Sequence, residues 1–225
     1  MDADAQLDAV DRGLETKEVD GVLSFVQTLS QIYPSPIGDV WDAVTTAERI
    51  PRWFLPVSGD LRLGGHYQLE GNAGGDIRSC DPPRAGSAGS AGFTVTWGAG
   101  MGEPAIVHVR LTAVDSTSTR FELENVAAVD SLPDGFWEQF GPSATGMGWD
   151  SALLGLAVHL STGEGISPEE GQAWLATDEG KSFLRRSADA WAGEHIANGA
   201  EPDAANAAAT TTYRMYTGEL PPPAV

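Results

Sequence analysis

The sequence predicts an α+β protein in which an antiparallel sheet is followed by a long buried helix and then by further helices. Three observations carry this. Between Val57 and Val129, short runs alternate apolar and polar residues and are separated by glycine or proline, as half-buried strands are. From Phe136 to Leu160 the apolar positions leave few polar faces, as in a helix covered on all sides. After residue 164, cap signals and an alanine-rich stretch mark more helices.

Taken in order, residues 1–21 read as an acidic leader, partly helical or frayed through residue 18. The run Val22 to Ile32, bounded by Gly21 and Pro34, is rich in β-formers and opens the folded core as a strand. Ser35-Pro36 supplies an N-cap with proline at the first helical position, and Val40, Trp41 and Val44 recur at helical spacing, so a short helix runs to about Thr45. A second helical turn begins at Thr46-Ala47-Glu48 and ends in Trp53-Phe54.

Six strands follow: DLRL, HYQLE, DIRSCD, FTVTW, AIVHVRLTAV and TRFELENVA. Alternation places Phe93, Val95, Trp97, Val107, Val109, Leu111, Phe121 and Leu123 on one face and leaves His108 and Arg110 on the wet one. The glycine–alanine–serine stretch at 84–92 has no packing residues and reads as a mobile loop, and GAGMG at 98–102 reads as a turn. Gly141-Pro142 is expected to break or kink the long helix near its start, and Asp150 stands out as a polar residue among its apolar ones. Ser167-Pro168-Glu169-Glu170 has the form of a capping box, Asp178 is placed to cap the helix carrying Phe183, Leu184 and Trp191, and a last helix lies near 203–216.

Composition narrows the function. The 225 residues carry 32 acids against 13 bases, a formal charge of −19 spread along the whole chain, which argues against nucleic acid and anionic membranes as partners. The longest apolar stretch, near Ala152 to Val158, is far short of a membrane span, and the acidic first thirty residues lack the form of a signal peptide. Cys80 stands alone, so no intramolecular disulfide forms, and a reducing, cytoplasmic setting is expected.

Searching for chemistry yields little. No phosphate-binding glycine loop, dinucleotide fingerprint, HExxH pair or nucleophile elbow occurs. His66, His108, His159 and His195 are too far apart to form a helical metal pair, Cys80 has no neighbouring cation to activate it, and Glu122 and Glu124 read as a solvated strand face. No catalytic residue, metal ligand or cofactor is therefore assigned. The excess lies in aromatics: of seven tryptophans, Trp41, Trp53, Trp97, Trp137 and Trp149 fall within the strand–helix core, where they either fill it or line an apolar ligand site.

Several residues together resemble a known pattern. The string Ser35 to Thr45, then Trp53-Phe54-Leu55-Pro56, Asp60-Leu61-Arg62-Leu63-Gly64-Gly65-His66-Tyr67, Asp81-Pro82-Pro83 and Thr96-Trp97 is similar to the SRPBCC superfamily, in its branch of proteins like the activator of the heat-shock-protein-90 ATPase. The resemblance spans about residues 22–160 and implies a helix-grip fold, a curved antiparallel sheet of six or seven strands wrapped around a long C-terminal helix and enclosing a cavity. It sets a helix-grip domain at 22–163 against a helical extension at 164–225, packed on that domain or on a second protomer.

The expected function is binding of a hydrophobic small molecule between sheet and long helix, without catalysis. The expected lining is Trp53, Phe54, Tyr67, Trp97, Asn125, Phe136, Trp149 and Leu153, with Asn125 orienting a polar group of the ligand. Alternatively, Asn125 bonds nearby backbone and the aromatics close the core. Two other classes stay open: a chaperone-cofactor-like or regulatory interaction module, working as a homodimer or with a protein partner through the C-terminal helices, and an enzyme of the polyketide cyclase, aromatase or hydrolase kind.

Overall fold

The computed structural model describes residues 3–84, 89–98 and 103–221. Eight strands form one unclosed antiparallel sheet in the order β1-β2-β8-β7-β6-β5-β4-β3: β1 (Asp11–Val19), β2 (Val22–Tyr33), β3 (Val57–Gly59), β4 (His66–Leu69), β5 (Gly74–Asp81), β6 (Ser90–Trp97), β7 (Ala105–Ala113) and β8 (Thr119–Ala128). The helices are α1 (Ala3–Asp8), α2 (Ile37–Thr45), α3 (Phe136–Phe140), α4 (Ser143–Thr162), α5 (Pro168–Leu175), α6 (Asp178–Ala197) and α7 (Pro202–Tyr216). The central helix α4 lies under the sheet and is covered from behind by α1, α6 and α7, so it is buried on opposite sides and needs no polar stripe.

Register follows the alternation. Val109 pairs with Phe93 on one side and Leu123 on the other, and Leu111 with Ala91 and Phe121, so the concave face carries the eight apolar residues named above. His108 and Arg110 fall on the outer face, where His108 meets Thr94 at 2.9 Å. The fold is the helix grip that the resemblance implies, built with eight strands.

Several local expectations differ from the structure. Asp11–Val19, inside the stretch read as an acidic leader, is an edge strand paired along its length with β2. Asp20 (φ 51°) and Gly21 (φ 81°) make the two-residue turn between them, whose positive φ values asparagine, aspartate and glycine accommodate best. DLRL is a chain of tight turns, Arg62 donating to the Asp60 carbonyl and Gly65 to that of Arg62, and the short strand lies just before it. Ser35 does not cap α2, because its hydroxyl donates to the Asp39 carboxylate; Thr177, not Asp178, caps α6. The turn ending at Trp53 is a single 3-10 turn, Ile50–Arg52. The long helix does break at Gly141-Pro142, into α3 and α4, and the Ser167 capping box is present. Of the stretch read as a mobile loop at 84–92, Ser90, Ala91 and Gly92 instead begin β6, with Ala91 buried opposite Leu111, and residues 85–88 lie outside the described residues, as do 99–102 of the GAGMG turn.

Asp150 explains itself structurally. Its carboxylate accepts from Arg12 Nη2 of β1 (2.7 Å), Ser187 Oγ of α6 (2.5 Å) and Trp191 Nε1 of α6 (3.1 Å), while Arg12 also donates to the Leu7 and Val10 carbonyls at the end of α1. Burial pushes this carboxyl up from its ordinary value, with the Arg12 guanidinium opposing. Breaking one side of a buried pair strands the other charge. Replacing Asp150 by asparagine is therefore expected to lower unfolding free energy by about 3–5 kcal/mol, read from urea denaturation; a loss well under 1 kcal/mol would show that the pair does not hold α1, β1, α4 and α6 together.

Candidate ligand-binding site

An apolar cavity of about 140 Å³ lies between the concave sheet face and the elements below it. The sheet supplies Tyr67 and Leu69 from β4, Ile77 and Cys80 from β5, Phe93, Val95 and Trp97 from β6, Val107 and Val109 from β7, and Phe121 and Leu123 from β8. Below stand Val44 and Thr45 of α2, the turn carrying Ile50, Trp53 and Phe54, and Trp149 of α4. Ile77 and Cys80 share this face although they are three residues apart, because a register shift between Ile77 and Ser79 reverses the alternation.

The aromatic side chains form a chain of contacts along one wall. Trp53 stacks on Phe54 with ring centroids 5.4 Å apart, Phe54 on Trp97 at 6.3 Å, and Trp97 meets Trp149 at 4.8 Å and Tyr67 at 6.2 Å. Hydrogen bonds fix two of their polar ends, Trp53 Nε1 donating to the Ala43 carbonyl (2.8 Å) and the Tyr67 hydroxyl to that of Thr96 (2.8 Å), whereas the buried Trp149 Nε1 has no hydrogen-bond partner among the described residues. Burial pushes the Tyr67 phenol up, so it stays a neutral donor. The Thr45 hydroxyl is likewise spent on the Trp41 carbonyl.

Of the residues expected at the site, Trp53, Phe54, Tyr67, Trp97 and Trp149 line this cavity and three stand elsewhere. Asn125 faces the same side of the sheet, but its amide donates to Gln27 Oε1 (3.3 Å), and that oxygen also accepts from Thr145 while Gln27 Nε2 donates to the Pro142 carbonyl (2.8 Å). It belongs to a buried amide network, bonded to a side chain rather than to backbone. Phe136 is turned away by the break at Gly141 and packs on Phe140 at 5.1 Å, and Leu153 is buried in the core, where its carbonyl accepts from the Tyr33 hydroxyl. Lining residues that alternation alone did not nominate are Val44, Ile50, Leu61, Ile77 and Cys80; the helical spacing of Val44 with Trp41 was the available signal.

The turn below the cavity is held by a polar latch. Arg49 Nε, an obligate donor, reaches His159 Nε2 (3.1 Å), so that nitrogen is the acceptor and Nδ1–H donates to the Glu164 carbonyl (2.8 Å). Arg49 Nη1 also pairs with Asp39 (2.7 Å), which accepts from Ser35. Among the described residues no group of acids, histidines and cysteines could hold a metal ion, and no helix is long and apolar enough to cross a membrane.

The sequence model of the family described as activator of Hsp90 ATPase homolog 1-like protein matches residues 34–161, from the end of β2 to the last turn of α4. The chain belongs to this family. CalU16 from Micromonospora echinospora is similar over most of both chains: its crystal structure is 30% identical with a TM-score of 0.62, covering 83% of this chain and 98% of CalU16. The solution structure of CalU16 gives 28% identity and a TM-score of 0.64, with 84% and 97% covered. A conserved protein of unknown function from Enterococcus faecalis, EF2215, shares the fold at 12% identity and a TM-score of 0.53, covering 82% of this chain and 92% of its own. No curated protein matches. The matched segment carries the whole wall of the cavity, whereas β1, α1 and α5 to α7 lie beyond it.

The latch has a pH signature. Burial raises the Asp39 carboxyl, but the Ser35 and Arg49 hydrogen bonds outweigh it and hold the group below its ordinary 3.8. The unfolded chain then takes up this proton first, so stability from Asp39 is complete above about pH 4 and is lost as pH falls through the lowered folded value. Urea midpoints measured downward from pH 5 are expected to fall less steeply in Asp39→Asn than in the native chain; parallel slopes would remove Asp39 from the acid response.

Proposed function

We propose that the chain binds a hydrophobic small molecule in the cavity between sheet and α4. The observation that carries this reading is the cavity itself: about 140 Å³ walled mainly by hydrocarbon and aromatic rings, with the polar ends of Trp53, Tyr67 and Thr45 bonded elsewhere. An apolar void of about 150 Å³ stays dry and takes a benzene-sized molecule, so a single planar ring fits the inner space. Stacked and tilted rings around it offer both faces and edges to such a guest.

The lining presents no carboxylate, imidazole or amine among the described residues, which favours binding over acid–base chemistry. The family's name points to activation of a chaperone ATPase. A docking module on the C-terminal helices would need an apolar stripe left open. Phe183, Leu184 and Trp191 are instead fully buried, and Ile196 is the large hydrophobic exposed among the described residues of α5 to α7.

Filling the cavity tests the reading. Val109 stands mid-sheet on its wall, and Val109→Phe places a ring where the guest would lie, at a cost of about 1–3 kcal/mol from overpacking. The native chain is expected to bind 4-fluorotoluene, seen as a shifted and broadened ¹⁹F signal, and the variant to lose at least tenfold in affinity while keeping its circular dichroism. Absence of binding to the native chain, or equal binding to a folded variant, would overturn the proposal.

A further inference from the structure

A second apolar cleft, about 230 Å³, lies on the other side of Trp53 and Phe54. Its walls come from α4 (Leu154, Val158) and from the segment at 166–175, including Ile166, Trp174 and Leu175. Trp53 and Phe54 are the only residues lining both spaces, so together they form the partition between them.

The partition is fixed at one residue and free at the other. Trp53 is tied to α2 through its indole bond to Ala43, and its backbone rests on Gly155 of α4, where a Cβ would collide with the Trp53 carbonyl. Arg52, just before it, accepts from the Ile166 amide (2.8 Å), which joins the turn to the segment leading into α5. Phe54 is half-buried, and its ring packs on the core and stacks with Trp53 and Trp97. A rotamer change at Phe54 would open the partition on its side without breaking a hydrogen bond.

Helix α5 packs Trp174 and Leu175 against the helical core, Trp174 meeting Phe183 at 5.6 Å. It buries none of its residues, yet it is built with a complete capping box and lays Trp174 and Leu175 over this cleft. Pockets for drug-sized ligands run from about 300 to 1,000 Å³. Neither space reaches that range, and the two together do. Of the two linings, the outer one carries the charged residue, Glu179, with Ser167 beside it.

We propose that the cleft under α5 is the outer lobe of the ligand site, and that the ligand is an elongated hydrophobic molecule at least two rings long. Its apolar end lies in the inner cavity, and any polar substituent lies at the Glu179 end. This rests on the reading of the inner cavity as a binding site, and it assigns to the extension the choice of ligand length.

Gly171 separates the two claims. It lines only the outer cleft of the two, and a Cβ there meets Ile166 Cγ2 at 4.0 Å, ordinary contact, so the side chain of Gly171→Leu starts in open space and takes up room in the lobe. Affinities of 4-fluorotoluene and 4-fluoro-4'-methylbiphenyl are measured by ¹⁹F NMR for the native chain and the variant. Gly171→Leu is expected to weaken the biphenyl at least tenfold and to leave the single ring within twofold. In the native chain, the distal biphenyl ring is expected to give nuclear Overhauser contacts to the Trp174 indole, a readout that does not depend on how the variant folds. Single-ring binding with no biphenyl binding, with a biphenyl indifferent to Gly171→Leu, or with no contact to Trp174 overturns the two-lobed site and leaves the inner cavity standing. Failure of both probes overturns both.

Discussion

Asp150 sits in the middle of α4 among apolar neighbours, and a carboxylate can be kept there only if the groups around it donate to it. Arg12 of the edge strand and Ser187 and Trp191, one turn apart on α6, do so. The arrangement constrains more than one contact. A charge-assisted pair with fixed geometry specifies the rotation of α4 about its axis far more sharply than interchangeable apolar contacts do. Trp149 precedes Asp150 by one residue, about 100° around a helix of 3.6 residues per turn. With Asp150 held towards α6, Trp149 is delivered to the sheet side, where it meets Trp97 and closes the cavity.

Close approach on both sides of α4 completes the constraint. Gly146 lets the Trp191 indole lie against the helix backbone, and Gly155 does the same for the Trp53 main chain; a Cβ at either position would collide. The helix is thus gripped by the sheet in front, by α6 behind and by the aromatic turn at its flank. The partition between the two apolar spaces inherits its position from Gly155, so the same contact that seats the turn also sets where one space ends and the other begins.

The sheet was legible because one of its faces is dry: strict alternation in FTVTW and AIVHVRLTAV could satisfy only one register, and a slip of one residue would have placed valines in water. Edge strand β1 was not, because its exposed residues are charged and its composition resembles a solvated tail; only the Asp20-Gly21 turn announced a hairpin. The aromatic part of the site could be read from strand parity and from the Trp53-Phe54 pair. Asn125 shows where parity stops. Alternation correctly turned it inward, but its hydrogen-bond partner is set by the β2 register, which places Gln27 directly opposite. The bulge after Ile77 is invisible to a period-two reading for the same reason, since it depends on what the neighbouring strand requires.

Holding the inner space open is itself a stability term. At roughly 24 cal/mol per Å³ of closed void, about 140 Å³ sets a ceiling of about 3 kcal/mol for this half-open space, against the roughly 5–15 kcal/mol by which domains are stable. Collapse would recover part of it, and the structure blocks collapse from each direction. The roof is a sheet with both neighbours hydrogen-bonded at every central strand. The floor is pinned at Trp53 by Ala43 and Gly155, and the turn before it is tied through Arg49 to Asp39 and His159. Trp149 cannot swing inward without moving Asp150 out of its ring of donors. The void persists because polar interactions at its periphery, each outside the apolar wall, fix the positions of the rings that line it, so an apolar guest gains contacts with a surface already in place and orders little on entry.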